Sequence, residues 1–212
     1  RSSAASDVYK RQVDKPNFRK IHTKPISMLG GSAILLSFLI GIWLGEPIER
    51  EIKPLLLGSV VIYLVGLIDD LYDLKPIIKL IGQILAATVV VSYGVTIDFI
   101  SLPIGPTIHF GWLGIPITIF WIVAITNAIN LIDGLDGLAA GVSVIALATI
   151  AFIAILQGNI FIIMICSVLI GSLLGFLVFN FHPAKIFLGD SGALLIGFII
   201  GFVSLLGFKN IT

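Results

Sequence analysis

Nine aspartates occur in the chain, and most of them are grouped. Asp69, Asp70 and Asp73 lie in DDLYD, Asp133 and Asp136 in DGLDG with Gly134 and Gly137, and Asp190 in LGDSG. Residues three or four apart share a helix face, so DDLYD can offer two carboxylates to one site, and DGLDG repeats the i, i+3 spacing. Its glycines allow close approach of a backbone or a phosphate. Asp190 stands at the start of an apolar run, where the free N–H groups of a helix favour anions. Oxygen donors without cysteine and with few histidines suit a hard cation that keeps its waters and bridges phosphates, namely Mg²⁺, with Mn²⁺ as its substitute. The plainer reading is that each aspartate caps a helix or sits in a solvated loop. Three acidic clusters on one face favour a shared site instead.

Such a site needs something for the metal to neutralise. Lys79 and Gln83 share a helical face at i, i+4, and Asn127, Asn130 and Asn180 sit beside the acidic segments. A lysine near a helix start also serves by snorkelling, and asparagines at helix ends also serve as caps. A diphosphate substrate and a membrane-embedded acceptor would together use all five.

The elements that must position these residues are membrane helices. The chain has 212 residues, of which 58% are apolar and 12% charged, with a mean hydropathy of +1.12. Soluble domains run near ~45–50% apolar and ~25% charged, so this is no soluble globular protein. A net charge of +1 gives no basic field to gather nucleic acid. The single cysteine, Cys166, falls within FIIMICSVLIG and reads as a small buried hydrophobe. Apolar runs recur near the ~20 residues a spanning helix needs, at about 28–45, 54–68, 77–97, 114–132, 138–157, 160–180 and 191–208, which predicts about seven spans. The fold class expected is therefore all-α, a polytopic transmembrane helix bundle. FISLPIGPTIHFGW, between the third and fourth runs, predicts a small extracytoplasmic β-hairpin with an aromatic anchor. Gly171 with Gly175, and Gly197 with Gly201, are spaced for helix–helix contact.

Residues 1–12, RSSAASDVYKRQ, are polar and aperiodic, lack the apolar core of a signal peptide, and look like a linker foreign to the rest of the chain. Residues 13–212 are expected to form a single transmembrane catalytic domain. Its opening segment, VDKPNFRKIHTKP, carries Lys15, Arg19, Lys20 and Lys24 ahead of the first run and should face the cytoplasm. Alternation from there puts DDLYDLK, NLIDGLDG and FHPAKIFLGD on that same side. Six of the eight aspartates after Val13 then share one face.

Four stretches in this order carry a resemblance: VDKPNFRKIHTKPISMLGG, GLIDDLYDLKPIIKLIGQ, NAINLIDGLDGLAAG and NFHPAKIFLGDSGALLIG. Together they resemble the polyprenyl-phosphate N-acetylhexosamine-1-phosphate transferases of glycosyltransferase family 4. The likeness is nearer to the members that begin teichoic acid, O-antigen or related glycans than to the phospho-MurNAc-pentapeptide transferases. It implies Mg²⁺-dependent transfer of a sugar 1-phosphate, N-acetylglucosamine 1-phosphate above all, from a UDP-N-acetylhexosamine to undecaprenyl or another polyprenyl phosphate, with release of UMP. By the same resemblance Asp190 is the principal metal ligand, and Asp69 the carboxylate that activates the acceptor. Asp70 lies beside it on the metal and phosphate side, counted both as the second metal ligand and with the catalytic carboxylates. Asn130, Asp133 and Asp136 match the nucleotide and diphosphate motif, Asp133 and Asp136 being counted with the catalytic carboxylates. Asn180 and Lys79 match substrate-facing positions, and His22 matches a position in the first loop. The resemblance also implies a multi-pass plasma-membrane protein with its site on the cytoplasmic face, and a possible homodimer. Set against the family's pattern, the chain is expected to be truncated at both ends.

Two rivals use the same residues. DDLYD also satisfies the D-D-x-x-D pattern of membrane prenyltransferases, but the partner motif here is the glycine-flanked DGLDG. A cation transporter would place its carboxylates at span centres, whereas these lie at loop edges.

Overall fold

The structure, a computed structural model, describes residues 13–14, 26–45, 50–100 and 108–209. Seven α-helices make up nearly all of it: α1 Gly30–Gly45, α2 Ile52–Tyr72, α3 Pro76–Ser92, α4 Gly114–Ile132, α5 Leu138–Gln157, α6 Ile160–Asn180 and α7 Gly189–Lys209. Five of them, α2 and α4–α7, are long and apolar enough to cross a membrane, while α1 and α3 are shorter apolar helices. The chain is a multi-pass helical membrane protein.

Burial separates the helices into one core and its surround. In α7, 89% of the span is buried, against 22–44% in the other four long helices. A helix apolar on every side belongs inside, and α7 is enclosed by α1, α2, α4 and α5, with α6 touching it less. Phe198 and Phe202 of α7 are fully buried with Ile62 of α2 and Ile122 of α4. Small residues set the approach distances: a methyl group placed on Gly197 would lie 2.7 Å from the Thr126 Cα, and one on Gly201 3.3 Å from the Ile122 Cα. The Gly197/Gly201 pair is thus an α4–α7 contact. Gly171 and Gly175 are not, since a methyl on either meets nothing within 4 Å; they lie on the outer face of α6.

The predicted runs match the helices except at their ends. The third, expected to reach residue 97, stops at Ser92 because Tyr93 and the left-handed Gly94 (φ +82°) turn the chain. The second continues to Tyr72, taking Asp69 and Asp70 into its last turn. Helix α3 begins with Pro76 in the first turn after an extended Lys75, the position where a missing N–H costs nothing.

Short strands frame both ends. β1 Val13–Asp14 pairs antiparallel with β2 Ile26–Ser27, and β3 Phe99–Ile100 with β4 Ile108–His109. The second pair falls where the hairpin was expected; its tip, residues 101–107, lies outside the described residues. The segment after β2 is stitched to the chain just before α7. Phe187 N–H donates to the Ser27 carbonyl (2.9 Å), Gly30 N–H to that of Phe187 (3.1 Å) and Gly31 N–H to that of Leu188 (3.0 Å). Trp43 and Trp112 are exposed at the opposite end of the bundle, as interfacial anchors are.

Candidate active site

The C-terminal ends of α2, α4 and α6 and the N-terminal ends of α1, α3, α5 and α7 meet at one end of the bundle. Lys79, one turn into α3, is the centre of the polar cluster there. Its ammonium is ion-paired with Asp69 of α2 and lies 3.0 Å from Asp190 Oδ1 of α7. Asn130 of α4 donates to the same Asp190 oxygen (2.5 Å), and Leu74 N–H donates to Asp69 Oδ1 (2.8 Å). Asp69 is 5% exposed, so its charge depends on these partners.

Asp70, the next residue, faces a different helix. Its two oxygens accept the N–H groups of Asp190 (2.7 Å) and Ser191 (3.1 Å), the first free donors of α7. Asp133 ends α4 on the same side. Burial, then the negative charges of Asp190 and Asp70, push its carboxyl up to about 7. Asp69 and Asp190 thus share one ammonium, with Asp133 within electrostatic reach of Asp190 and Asp70, an excess of negative charge that a cation would relieve. The donors are all oxygen, which fits Mg²⁺ or Mn²⁺. Among the described residues, no three acidic or histidine side chains converge as a metal-binding group.

The other expected residues are placed around this cluster, and Gln83, Asn127, Asn180 and Asp136 are hydrogen-bonded within the protein. Gln83 and Asn127, both in the α3–α4 contact, exchange hydrogen bonds: Gln83 Nε2 donates to Asn127 Oδ1 (3.2 Å) and Asn127 Nδ2 to Gln83 Oε1 (2.5 Å). Asn180 accepts from Gly137 N–H (3.0 Å) and donates to the Ile186 carbonyl (2.8 Å), tying the start of α5 to the segment before α7. Asp136 Oδ2 accepts from Ala184 N–H (3.1 Å) and lies 2.9 Å from Nδ1 of the exposed His182. Gly134 is open, and a methyl group on it would meet nothing. Asp73, expected to share a face with Asp69, is instead the exposed left-handed cap of α2 (φ +52°). His22 lies outside the described residues.

What sequence reasoning missed is the packing that holds the α7 N-terminus. A methyl on Gly66 would strike the Ser191 backbone, and one on Gly31 the Gly192 backbone, so α2 and α1 close on the first turn of α7 at main-chain distance. The signal is present in the Gly30–Gly31 pair, which as sequence reads only as the end of a longer motif.

The profile of the family described as glycosyl transferase family 4 matches residues 53–208, a range that contains this whole site. The chain is 45% identical to a "probable undecaprenyl-phosphate N-acetylglucosaminyl 1-phosphate transferase" of Bacillus subtilis, over 94% of this chain and 57% of that protein. It is 39% identical to a decaprenyl-phosphate N-acetylglucosaminephosphotransferase of Mycolicibacterium smegmatis, over 91% and 52%. It is 33% identical to a phospho-N-acetylmuramoyl-pentapeptide-transferase of Enterococcus hirae, over 90% and 64%. The chain therefore spans between half and two thirds of the length of these relatives.

Proposed function

The chain belongs to glycosyl transferase family 4, and from that premise we propose that it is the catalytic part of a transferase that moves N-acetylglucosamine 1-phosphate from its UDP donor to undecaprenyl or a similar polyprenyl phosphate. The observation that carries this reading is the Lys79 cluster: one ammonium shared by Asp69 and Asp190, with Asp70 and Asp133 beside Asp190, at the end of a membrane bundle. An acidic, oxygen-lined site with one fixed cation among the described residues suits a metal–diphosphate ligand, and its place at a helix end lets a lipid phosphate enter from the bilayer side. The basic run of residues 15–24 precedes α1, whose N-terminus is at this end, and that supports a site on the cytoplasmic face of the plasma membrane.

In the reaction, an oxygen of the lipid phosphate attacks the phosphorus that bears the sugar. The bond from that phosphorus to the bridging oxygen breaks, UMP leaves with the electron pair, and a lipid-linked diphosphate sugar remains. Positioning and charge neutralisation do most of the work in such transfers. In this reading Lys79 pairs with phosphate oxygens. In the same reading Asp69, held by Leu74 N–H and Lys79, accepts the proton of a monoprotonated lipid phosphate. Asp190 and Asp133 are the carboxylates with which this chain would hold Mg²⁺, whose contribution when bound is positive charge on the diphosphate.

The test is Mg²⁺-dependent UMP release from UDP-N-acetylglucosamine, with and without undecaprenyl phosphate. It uses membranes carrying the chain within the full length of the Bacillus subtilis relative, with Asp190→Asn as control. Lipid-dependent UMP that is lost in the control supports the reading. UMP only from UDP-MurNAc-pentapeptide would move the protein to the peptidoglycan branch, and no UMP from either donor would overturn the reading.

A further inference from the structure

Adjacent aspartates are usually treated as one acidic motif, yet Asp69 and Asp70 point to different partners. Successive helix residues are ~100° apart around the axis, so only one of them can face Lys79. The other meets α7. Asp70 grips that helix with both oxygens, one on Asp190 N–H and one on Ser191 N–H, the arrangement of a bidentate N-terminal cap. The fit is close on both sides. A methyl group on Gly189 would lie 2.8 Å from Asp70 Oδ2, and Gly189 holds φ +73°, a conformation that only glycine adopts without strain. Gly66, one turn before Asp70 on α2, brings the α2 backbone against Ser191. Asp190, the residue whose other end faces Lys79 and Asn130, hangs from the N–H that Asp70 holds.

We infer that Asp70 is a positioning residue: its carboxylate fixes the first turn of the buried helix α7 and thereby the direction of the Asp190 side chain, and it does not itself bind metal or take a proton. The inference rests on the transferase reading for its kinetic consequence, though not for its structural one. An amide at position 70 does not substitute, because its NH₂ would oppose one of two backbone N–H donors.

The experiment pairs Asp70→Asn with Gly189→Ala, which disturbs the same cap from the other side and leaves the Asp70 charge in place. Both are made in the full-length chimera, with amide hydrogen exchange of the 189–195 segment and Mn²⁺ binding by electron paramagnetic resonance as readouts besides UMP release. A positioning role predicts that both variants speed exchange at the Asp190 and Ser191 amides at least tenfold. Both should lower kcat by about a hundredfold with donor KM within threefold, and both should weaken Mn²⁺ binding by the same factor to within threefold, since both turn the Asp190 carboxylate. Tenfold weaker Mn²⁺ binding in Asp70→Asn, with exchange unchanged and Gly189→Ala close to wild type in kcat, would overturn it and make Asp70 a ligand. If no variant or parent releases UMP, the transferase reading fails while the exchange data still decide the cap.

Discussion

Two groups of polar residues occupy the same end of the bundle, and they differ in what their atoms have left to do. Around Lys79, Asp69 and Asp190 share one ammonium, and the nearby Asp133 is pushed up to about 7 by burial and by its acidic neighbours. Around Asn180 and Asp136, the hydrogen bonds close within the protein: Gly137 to Asn180 to Ile186, and Ala184 with His182 to Asp136. The first group is an unbalanced charge set, with capacity left for a ligand. The second is a clip that joins the loop before α5 to the loop before α7. Membership of an acidic or amide-rich motif therefore does not tell chemistry from scaffolding; the remaining hydrogen-bonding and charge capacity does.

The sharpest way to break this contrast is to remove a charge from each side. Asp190→Asn is expected to lower kcat for UMP release by about 10²–10³-fold, the range seen when one preorganised electrostatic group is lost. Membranes with equal amounts of folded protein provide the comparison.

A second test uses the Asp133 carboxyl. Its ordinary value is 3.8, and in the folded protein it stands at about 7, so the folded, cation-free site retains a proton over the range between them. Stability of that state declines as pH rises through this window, and cation binding, which needs the ionised form, strengthens. Mn²⁺ affinity should rise by about tenfold from pH 6 to pH 8. Asp133→Asn should flatten that slope, and an unchanged slope in this variant would place the proton elsewhere.

The clip predicts smaller effects of another kind. Asp136→Asn keeps the shape and one oxygen, and weakens the hold on Ala184 N–H by about 1 kcal/mol, which a thermal melt in detergent reads as a lower midpoint with kcat within tenfold. His182→Ala removes an exposed pair with Asp136, and a change within about 0.5 kcal/mol is expected. A hundredfold loss of kcat in His182→Ala with the melt unchanged would move the clip into the chemistry.

Much of this is legible in the sequence. Hydropathy alone locates the seven helices of the described residues, because long apolar runs have no competing reading, although only five of them are long and apolar enough to span where about seven spans were expected. Positive charge before α1 and simple alternation group the aspartates on one side. The chain does not say which way a side chain points at a helix end. Spacing in DDLYD makes Asp69 and Asp73 partners, but the helix ends at Tyr72 and Asp73 turns out into solvent. Asp69 and Asp70 are neighbours in sequence and serve different helices, a distinction fixed by Gly66, Gly31 and Gly189, which set how close α7 comes. The two G-x-x-x-G pairs are identical as patterns; Gly197 and Gly201 pack because α7 lies in the centre, whereas Gly171 and Gly175 face outward because α6 lies at the rim. Gln83 and Asn127 read in the sequence as groups for a substrate, but each is the other's partner.

The central contrast is tested most directly by one kinetic comparison: kcat for lipid-dependent UMP release by Lys79→Met and by Asn180→Ala, in the same membranes and at saturating donor. The account predicts a loss of at least about a hundredfold for Lys79→Met and less than about tenfold for Asn180→Ala, whose cost falls on stability. Equal losses in two variants that are both folded would contradict it.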